Sequence, residues 1–412
     1  MPSSIAWLDV SAEEQRRARE FIALFTQPES RDELGIGQIR DVLSNVLFPG
    51  TSVIQTRARY FLYVPWIYLE GQRRGKSGRE LTSWVEARER RLIEVLRKAG
   101  TSAVDLDGLI GVDAGERLKV LPSSIYWNGL MTFGILRRDV AAEQLGTERM
   151  RRESDESDEL AERESNTWSP SIPPPPVGFP EQLDTAFALR PEEARWLAER
   201  INQSPATRDS LLARIVSGSA RTLDNSFGPW DDPAGQVDDP ALRAQLEHAE
   251  LLSLGMHGAS LLYNLLVAEK YVDRGYNRVS NAIAKYQDLI EKWAVECTGS
   301  RQRLATWDRT AMWDLVRSKN ARIGLPTITF VENWLGNVIS GRPMNTVDDP
   351  ALRNLVRERE LRRGKQSRLQ NDKLLASWSG ESGAGRLNFR WGKVRRIVRD
   401  IHSALDLEAA HA

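Results

Sequence analysis

Residues Asp32 to Leu69 read DELGIGQIRDVLSNVLFPGTSVIQTRARYFLYVPWIYL, and this stretch says most about the fold. It contains a glycine-rich turn, a Phe-Pro-Gly-Thr-Ser break and an apolar run from Tyr60 to Leu69. The run is too short to cross a bilayer and predicts buried, aromatic core. No arrangement of residues in this stretch is one that catalysis requires. It therefore indicates the structural centre of an N-terminal domain.

Composition limits the class of protein. The chain has 412 residues, of which 41% are hydrophobic, so two or three domains with well-filled cores are expected. Its 57 basic and 57 acidic residues balance, which predicts no general attraction to nucleic acid or membranes. Cys297 is the single cysteine, which excludes a disulfide framework and fits a reducing, cytoplasmic location. We expect no secretory signal and no membrane-spanning segment.

Charge and proline content divide the chain into four predicted segments. Residues 151–182 join an acidic, Ser-rich stretch to four consecutive prolines, which predicts a linker. On either side we expect an N-terminal helical domain with an aromatic core (residues 1–150) and a central helical domain (183–356). The rest of the chain (357–412) is predicted to be a basic C-terminal helical region, because residues 357–400 carry 13 basic and 5 acidic side chains.

The hydrophobic periodicity predicts a mainly α, multi-domain protein with few short strands. The best strand candidates are residues 118–121 and 327–331. The heptad Val-Asp-Asp-Pro-Ala-Leu-Arg occurs at 237–243 and again at 347–353. Its Asp-Pro step is typical of helix N-termini, so two helix starts with the same capping chemistry explain the identity more simply than a duplicated module.

The strongest functional pattern is the basic C-terminal region, where cations alternate with Phe389 and Trp391. This combination suits phosphate contact together with base stacking. The predicted nucleic-acid-binding residues are Arg362, Arg363, Arg368, Arg390, Trp391, Lys393, Arg395, Arg396 and Arg399. A solvated basic face, or one that docks on a protein partner or on the acidic linker, would give the same pattern.

Arg57 and Arg59 form a secondary candidate site because they enter the apolar run carrying charge. Arginine in such a place needs a partner. That partner is either a carboxylate of the same domain, such as Asp41, or a nucleic-acid phosphate. We favour the internal ion pair.

Catalytic and metal-binding motifs are not recognisable in the sequence. The four histidines have no zinc-binding spacing, and we expect no metal and no cofactor. Paired carboxylates hold Mg²⁺ in many nucleases, so a divergent metal-dependent nuclease that uses Asp32, Glu33 or Asp41 is an alternative. Whether the protein is an enzyme stays open, with the balance against it.

Several short motifs resemble those of an uncharacterised bacterial family of unknown function. They are DELGIG at 32–37, FPGTS at 48–52, TRARYF at 56–61, VPW at 64–66, PSSIYWNGL at 122–130 and FRW at 389–391. The resemblance covers most of the chain and implies no assigned activity. It does imply a setting in phage-defence loci near helicases and phospholipase-D-like nucleases.

Together, resemblance and charge predict a non-catalytic component of an anti-phage defence assembly that contacts nucleic acid through the basic C-terminal region. The main alternative is a protein–protein scaffold or adaptor for helicase or nuclease partners.

Overall fold

The computed structural model describes residues 32–112, 115, 118–137, 167–341 and 345–411. Within these residues the fold is mainly α, as predicted, with fifteen α-helices and no strand. The predicted short strands are not observed. Residues 327–331 lie inside the helix Leu325–Ile339, whose first turn carries Pro326, a residue that tolerates this position well. Residues 118–121 form irregular structure before the helix that begins at Pro122.

The helices in chain order are α1 (Gly37–Leu47), α2 (Tyr60–Arg73), α3 (Gly78–Ala99), α4 (Ala103–Leu106), α5 (Pro122–Thr132), α6 (Pro191–Gln203), α7 (Leu211–Ser217), α8 (Pro240–Asp273), α9 (Ala282–Gly299), α10 (Arg301–Thr306), α11 (Arg309–Lys319), α12 (Leu325–Ile339), α13 (Pro350–Leu361), α14 (Asp372–Ala376) and α15 (Trp391–His411).

Contacts group the described chain into two compact units. The first takes its described residues from Leu47–Val237 and Arg390–Ala412, and the second from residues 32–46 and Asp238–Phe389. Each unit is thus assembled from segments far apart in the sequence. Most of the acidic part of the predicted linker, residues 151–166, lies outside the described residues.

Helix α2 forms the core of the first unit. Every residue from Tyr60 to Tyr68 is buried, and the helix continues through Pro65. It packs against α3 and α5, and aromatic pairs with Tyr126 form part of its contact with α5. The proline-rich stretch also contacts this core, because Trp66 Nε1 donates to the Pro173 carbonyl at 2.7 Å and Phe179 stacks on Tyr63.

Helix α8, 34 residues long, is the centre of the second unit and packs against α9, α12 and α13. Glycine allows its close contact with α9, because a Cβ at Gly258 would lie 2.3 Å from the Trp293 ring. Asp239 caps α8 and Asp349 caps α13, each accepting from the backbone N–H groups two and three residues later. The two identical heptads are therefore two helix starts with one capping chemistry, as predicted.

By length and composition, α8 is also apolar enough to cross a membrane, the one such helix among the described residues. This was not expected from the sequence, where no stretch was judged long enough. The core helix of a globular protein meets the same criterion, and 89% of the most apolar window of α8 is buried inside the protein.

Glu89 on α3 is a fully buried carboxyl group that caps α5. It accepts hydrogen bonds from the Ser123 N–H at 2.7 Å and from Ser123 Oγ at 2.8 Å. Burial raises the pKa of Glu89 from 4.5 to about 8, and the two hydrogen bonds from Ser123 oppose that rise. Near neutral pH the folded protein therefore holds a proton here that the unfolded chain has released.

We predict that this proton makes folding pH-dependent. The contribution of Glu89 to the free energy of unfolding is complete below the unfolded pKa and is lost as the pH rises through about 8. Glu89→Gln imitates the protonated carboxyl. The urea midpoint of this variant should therefore change less with pH than that of the wild type between about pH 5 and about pH 9. Glu89→Ala removes the cap and should lower stability by about 1–2 kcal/mol near the acidic end of this range. The loss should shrink as the pH rises, because the wild type then also loses the contribution of Glu89.

Glu94→Gln is the matched control, because Glu94 lies on the exposed face of the same helix. An equal reduction of the pH dependence in both Gln variants would contradict the role given to Glu89.

Candidate functional site

Trp391, predicted to pack or to stack on bases, begins α15 and is fully buried. Its ring lies 5.8 Å from that of Phe48, and its Nε1 donates to Ser226 Oγ at 2.9 Å. The neighbouring Arg390 has a left-handed backbone (φ 69°), and its Nη1 donates to the Thr51 carbonyl at 2.8 Å. Trp391 is therefore a core residue and offers no face for stacking.

The three arginines in the middle of α15 also donate to groups of the first unit. Arg395 donates to the Ser226 carbonyl at 2.8 Å, and Arg399 donates to Thr222 Oγ1 at 3.1 Å and to the carboxylate of Asp224. Arg396 forms a two-bond pair with Asp107. These side chains hold α15 to the loop at 222–226 and to the end of α4. Each of the three thus has an acceptor within its own unit.

Arg57, the first of the secondary candidates, forms a bidentate ion pair with Asp400 of α15. Arg57 Nε donates to Asp400 Oδ2 at 2.9 Å and Nη2 donates to Oδ1 at 2.8 Å. The Ala58 N–H donates to the same carboxylate at 2.8 Å. Burial raises the pKa of Asp400, and the hydrogen bonds from Arg57 and Ala58 oppose that rise.

Arg59 is paired still deeper in the first unit. It lies 3.2 Å from the carboxylate of Glu193, with 3% of the Arg59 side chain and none of the Glu193 side chain exposed. A second hydrogen bond runs from Arg59 Nη1 to the Thr185 carbonyl at 2.9 Å. The favoured internal ion pair is thus present at both arginines, although the suggested partner was wrong. Asp41 instead contacts its neighbour Arg40 at 3.0 Å.

In the second unit, three arginines of the basic region bind the segment that begins the DELGIG motif. Arg359 donates to the Leu34 carbonyl at 2.6 Å and to the Gly35 carbonyl at 3.1 Å. Gly35 has φ +67°, and a Cβ there would lie 2.4 Å from Arg359 Nη2, so only glycine fits. Arg363 and Arg368 both form ion pairs with the buried Glu33.

Two of the predicted phosphate-binding residues have side chains without a partner among the described residues. Arg362 is exposed and Lys393 is partly exposed, and the side chain of neither forms a hydrogen bond or ion pair with any described residue. The other seven predicted residues, together with Arg57 and Arg59, contact acceptors or aromatic neighbours within their own unit. Within each unit, most of the predicted residues are therefore engaged in contacts of the fold.

The carboxylates of the nuclease alternative have structural partners as well. Asp32 accepts from the Ile36 N–H at 2.7 Å at the start of α1, and Glu33 holds the two arginines described above. Among the described residues, no group of three or more His, Cys, Asp or Glu side chains is arranged to bind a metal ion. Asp32 and Glu33 line a small cavity of about 40 Å³, room for roughly one water molecule.

The structure gives little support for Cys297 as a nucleophile or for His257 as a general base. Burial raises the pKa of Cys297 to about 12, so its thiol stays protonated. Burial, together with the charge of Arg386, lowers the pKa of His257 to about 4, so the imidazole is neutral near pH 7. A larger concavity between α12 and α13, about 360 Å³, is an open and mostly polar surface groove.

The carboxylates that complete these pairs were not found by sequence reasoning. Asp107 and Asp400 carry no local pattern, and Glu193 carries only that of a helix first turn. No motif connects these carboxylates to the arginines of α15 and of residues 57–59 that they bind. The only hint in the sequence is the excess of basic over acidic residues at 357–400. Carboxylate partners for these cations would have to come from elsewhere in the fold.

The chain also matches a known family. Residues 2–404 match the model described as "Family of unknown function (DUF6361)". The chain belongs to this family. No curated protein and no solved structure matches it significantly. Membership confirms the resemblance to an uncharacterised family over nearly the whole chain, and the description names no activity.

We predict that Asp400→Asn strongly destabilises the protein. The substitution leaves the mostly buried guanidinium of Arg57 without a counter-charge, which should lower the free energy of unfolding by about 3–5 kcal/mol. Replacing both partners by apolar residues, as Arg57→Met with Asp400→Leu, should recover part of that loss. Urea unfolding followed by circular dichroism measures each difference.

The control is Asp209→Asn, which breaks an exposed pair with Arg208 and should change stability by less than about 0.5 kcal/mol. Similar losses in the two Asn variants would mean that the Arg57–Asp400 pair has no special structural role.

Proposed function

We propose that this protein is a non-catalytic helical scaffold that joins protein partners in a bacterial anti-phage defence assembly. One observation carries the proposal: the arginines of α15 that were expected to hold phosphates donate to acceptors of their own unit. A guanidinium already satisfied by a carboxylate binds a phosphate only if that pair opens, which costs the energy of the pair.

The motif residues support the same view. Arg57, Arg59 and Gly35 belong to the stretches that carry the family resemblance, and each has a packing or ion-pairing role in its own unit. In this chain these motif residues therefore make folding contacts. A protein whose signature residues build a helical body acts through its exposed surface, which is how scaffolds and adaptors work.

The proposed partners follow from the resemblance. Members of the family are expected near helicases and phospholipase-D-like nucleases, and we propose that the exposed helical surfaces of this chain bind one of these proteins. The chemistry of the assembly would then belong to the partner. The alternative of a metal-dependent nuclease has less support, because Asp32, Glu33 and Asp41 all have partners in the fold.

Co-purification tests the scaffold proposal. Tagged full-length protein, purified from a bacterium that carries its natural neighbouring genes, should retain a protein partner in fixed stoichiometry. The complex should survive treatment with a broad-specificity nuclease, because protein contacts hold it. Size-exclusion chromatography with light scattering gives the stoichiometry, and mass spectrometry identifies the partner. A chain that elutes alone, or loses its partner on nuclease treatment, would refute the proposal.

One variant needs care in such experiments. Reversing Arg395, Arg396 and Arg399 to Glu removes hydrogen bonds and ion pairs within the first unit, so we expect a lower melting temperature. Loss of nucleic-acid or partner binding in that variant would report misfolding and not a lost contact. Thermal melts must therefore accompany every binding measurement on α15.

A further inference from the structure

The second unit brings five exposed cations together at the turns that follow α8 and α13. They come from three places in the sequence: the end of α8 and the turn after it, the end of α13 with the short 3₁₀ turn Gly364–Gln366, and helix α14. This basic turn surface consists of Arg274, Arg278, Arg362, Lys365 and Lys373. We infer that it is a binding surface for single-stranded nucleic acid.

Hydrogen bonds and one ion pair place these segments side by side. Arg274 contacts Asp372 of α14 at 3.4 Å, and Arg278 Nη2 donates to the Trp378 carbonyl at 3.0 Å. Asn371, which caps α14, donates from Nδ2 to the Lys365 carbonyl at 2.9 Å. The turn after α8 and the turn after α13 therefore both lie against α14, and their cations form one patch.

The cations of the basic turn surface differ from those of α15 in the partners that they contact. Arg362, Lys365 and Lys373 are exposed and have no hydrogen bond or ion pair from their side chains to any described residue. Arg278 donates only to backbone carbonyls. The same segments carry three exposed acidic residues, Asp273, Glu358 and Asp372, and the buried Glu360, so the five exposed cations leave an excess of positive charge at the surface. Arg278, Arg362, Lys365 and Lys373 can meet phosphates without breaking a carboxylate pair, whereas Arg274 would first have to leave Asp372.

An aromatic side chain lies within the patch. Tyr276 is between Arg274 and Arg278 in the sequence, is partly exposed, and packs on Tyr271 with ring centroids 5.0 Å apart. A partly exposed ring that packs on a second ring and lies beside cations in the sequence suits the stacking of unpaired bases. Duplex DNA keeps its bases inside the helix, so this feature favours a single strand.

The inference goes beyond the proposed scaffold, which would bind proteins whether or not this surface binds nucleic acid. The two can fail separately, because partner retention after nuclease treatment tests one and direct binding of an oligonucleotide tests the other.

The test measures fluorescence anisotropy of a labelled single strand of about 20 nucleotides with the full-length protein. Wild type should bind at low salt, and with five phosphate contacts the logarithm of the binding constant should fall with log salt at a slope of about −3.5. Arg362→Glu, Lys365→Glu and Lys373→Glu together should weaken binding at least about tenfold and reduce the steepness of that slope by about 2. Tyr276→Leu should weaken binding while leaving the slope unchanged, since stacking releases no counterions.

The matched control reverses three other exposed cations of the same unit, Arg317, Lys319 and Arg322, at the end of α11 and just after it. It changes net charge by the same amount and should keep most of the binding. The neutral variants Arg362→Gln and Lys365→Gln, checked by thermal melts, give the answer if the charge-reversed protein does not fold.

Three outcomes would overturn the inference. They are no oligonucleotide binding by wild type at about 50 mM salt, equal losses in the two charge-reversed triples, and binding only to anionic lipid vesicles. Equal losses would mean diffuse attraction, and vesicle binding would mean a lipid surface is the partner.

Discussion

The bidentate pair between Arg57 and Asp400 is the contact on which the first unit depends. It joins positions 343 residues apart, and so makes the last helix part of the same body as the segment that leads into α2. That segment is irregular, yet its backbone groups are satisfied by side chains. Tyr126 Oη accepts from the Thr56 and Arg57 N–H groups, and Asp400 accepts from the Ala58 N–H. Without these acceptors, buried donors would be left unpaired at substantial cost.

Buried ion pairs of this kind contribute more to specificity than to net stability. Placing Arg59 and Glu193 in the interior costs several kcal/mol of hydration, roughly what their attraction returns. The pair disfavours other packing arrangements, because an arrangement that buries either charge without its partner has a much higher free energy. Gly35 acts similarly in the second unit, since its left-handed backbone and missing side chain let Arg359 reach the carbonyls of residues 34 and 35. Both devices set the position of one segment against another.

Local features of the fold could be predicted from the sequence, and long-range ones could not. The apolar run from Tyr60 and the capping residues Asp239 and Asp349 act within a few positions of themselves, so their patterns are complete in the sequence. The partner of Arg57 is one carboxylate among 57 acidic residues, and nothing near Asp400 indicates it. Residues 327–331 fit a strand by their β-branched side chains, but the helix that starts beside Pro326 includes them. The sequence also gives the number of cations in the C-terminal region, but it does not indicate whether each side chain points into the fold or toward solvent.

Whether a cation points into the fold or toward solvent distinguishes the residues that stabilise this chain from those that are free to bind a ligand. The inward set includes Arg57, Arg59 and Arg390, which lie within the family motifs, and changing any of them disturbs packing as well as charge. The outward set around α14 has no side-chain role in the described fold beyond the Arg274–Asp372 pair and the bonds from Arg278 to carbonyls. Exposed substitutions of that kind usually alter stability by less than about 0.5 kcal/mol. The outward cations can therefore gain or lose a ligand while the helical body stays intact, whereas the motif arginines cannot. A family signature of this type identifies a fold, and the function has to be sought on the surface that the signature leaves free.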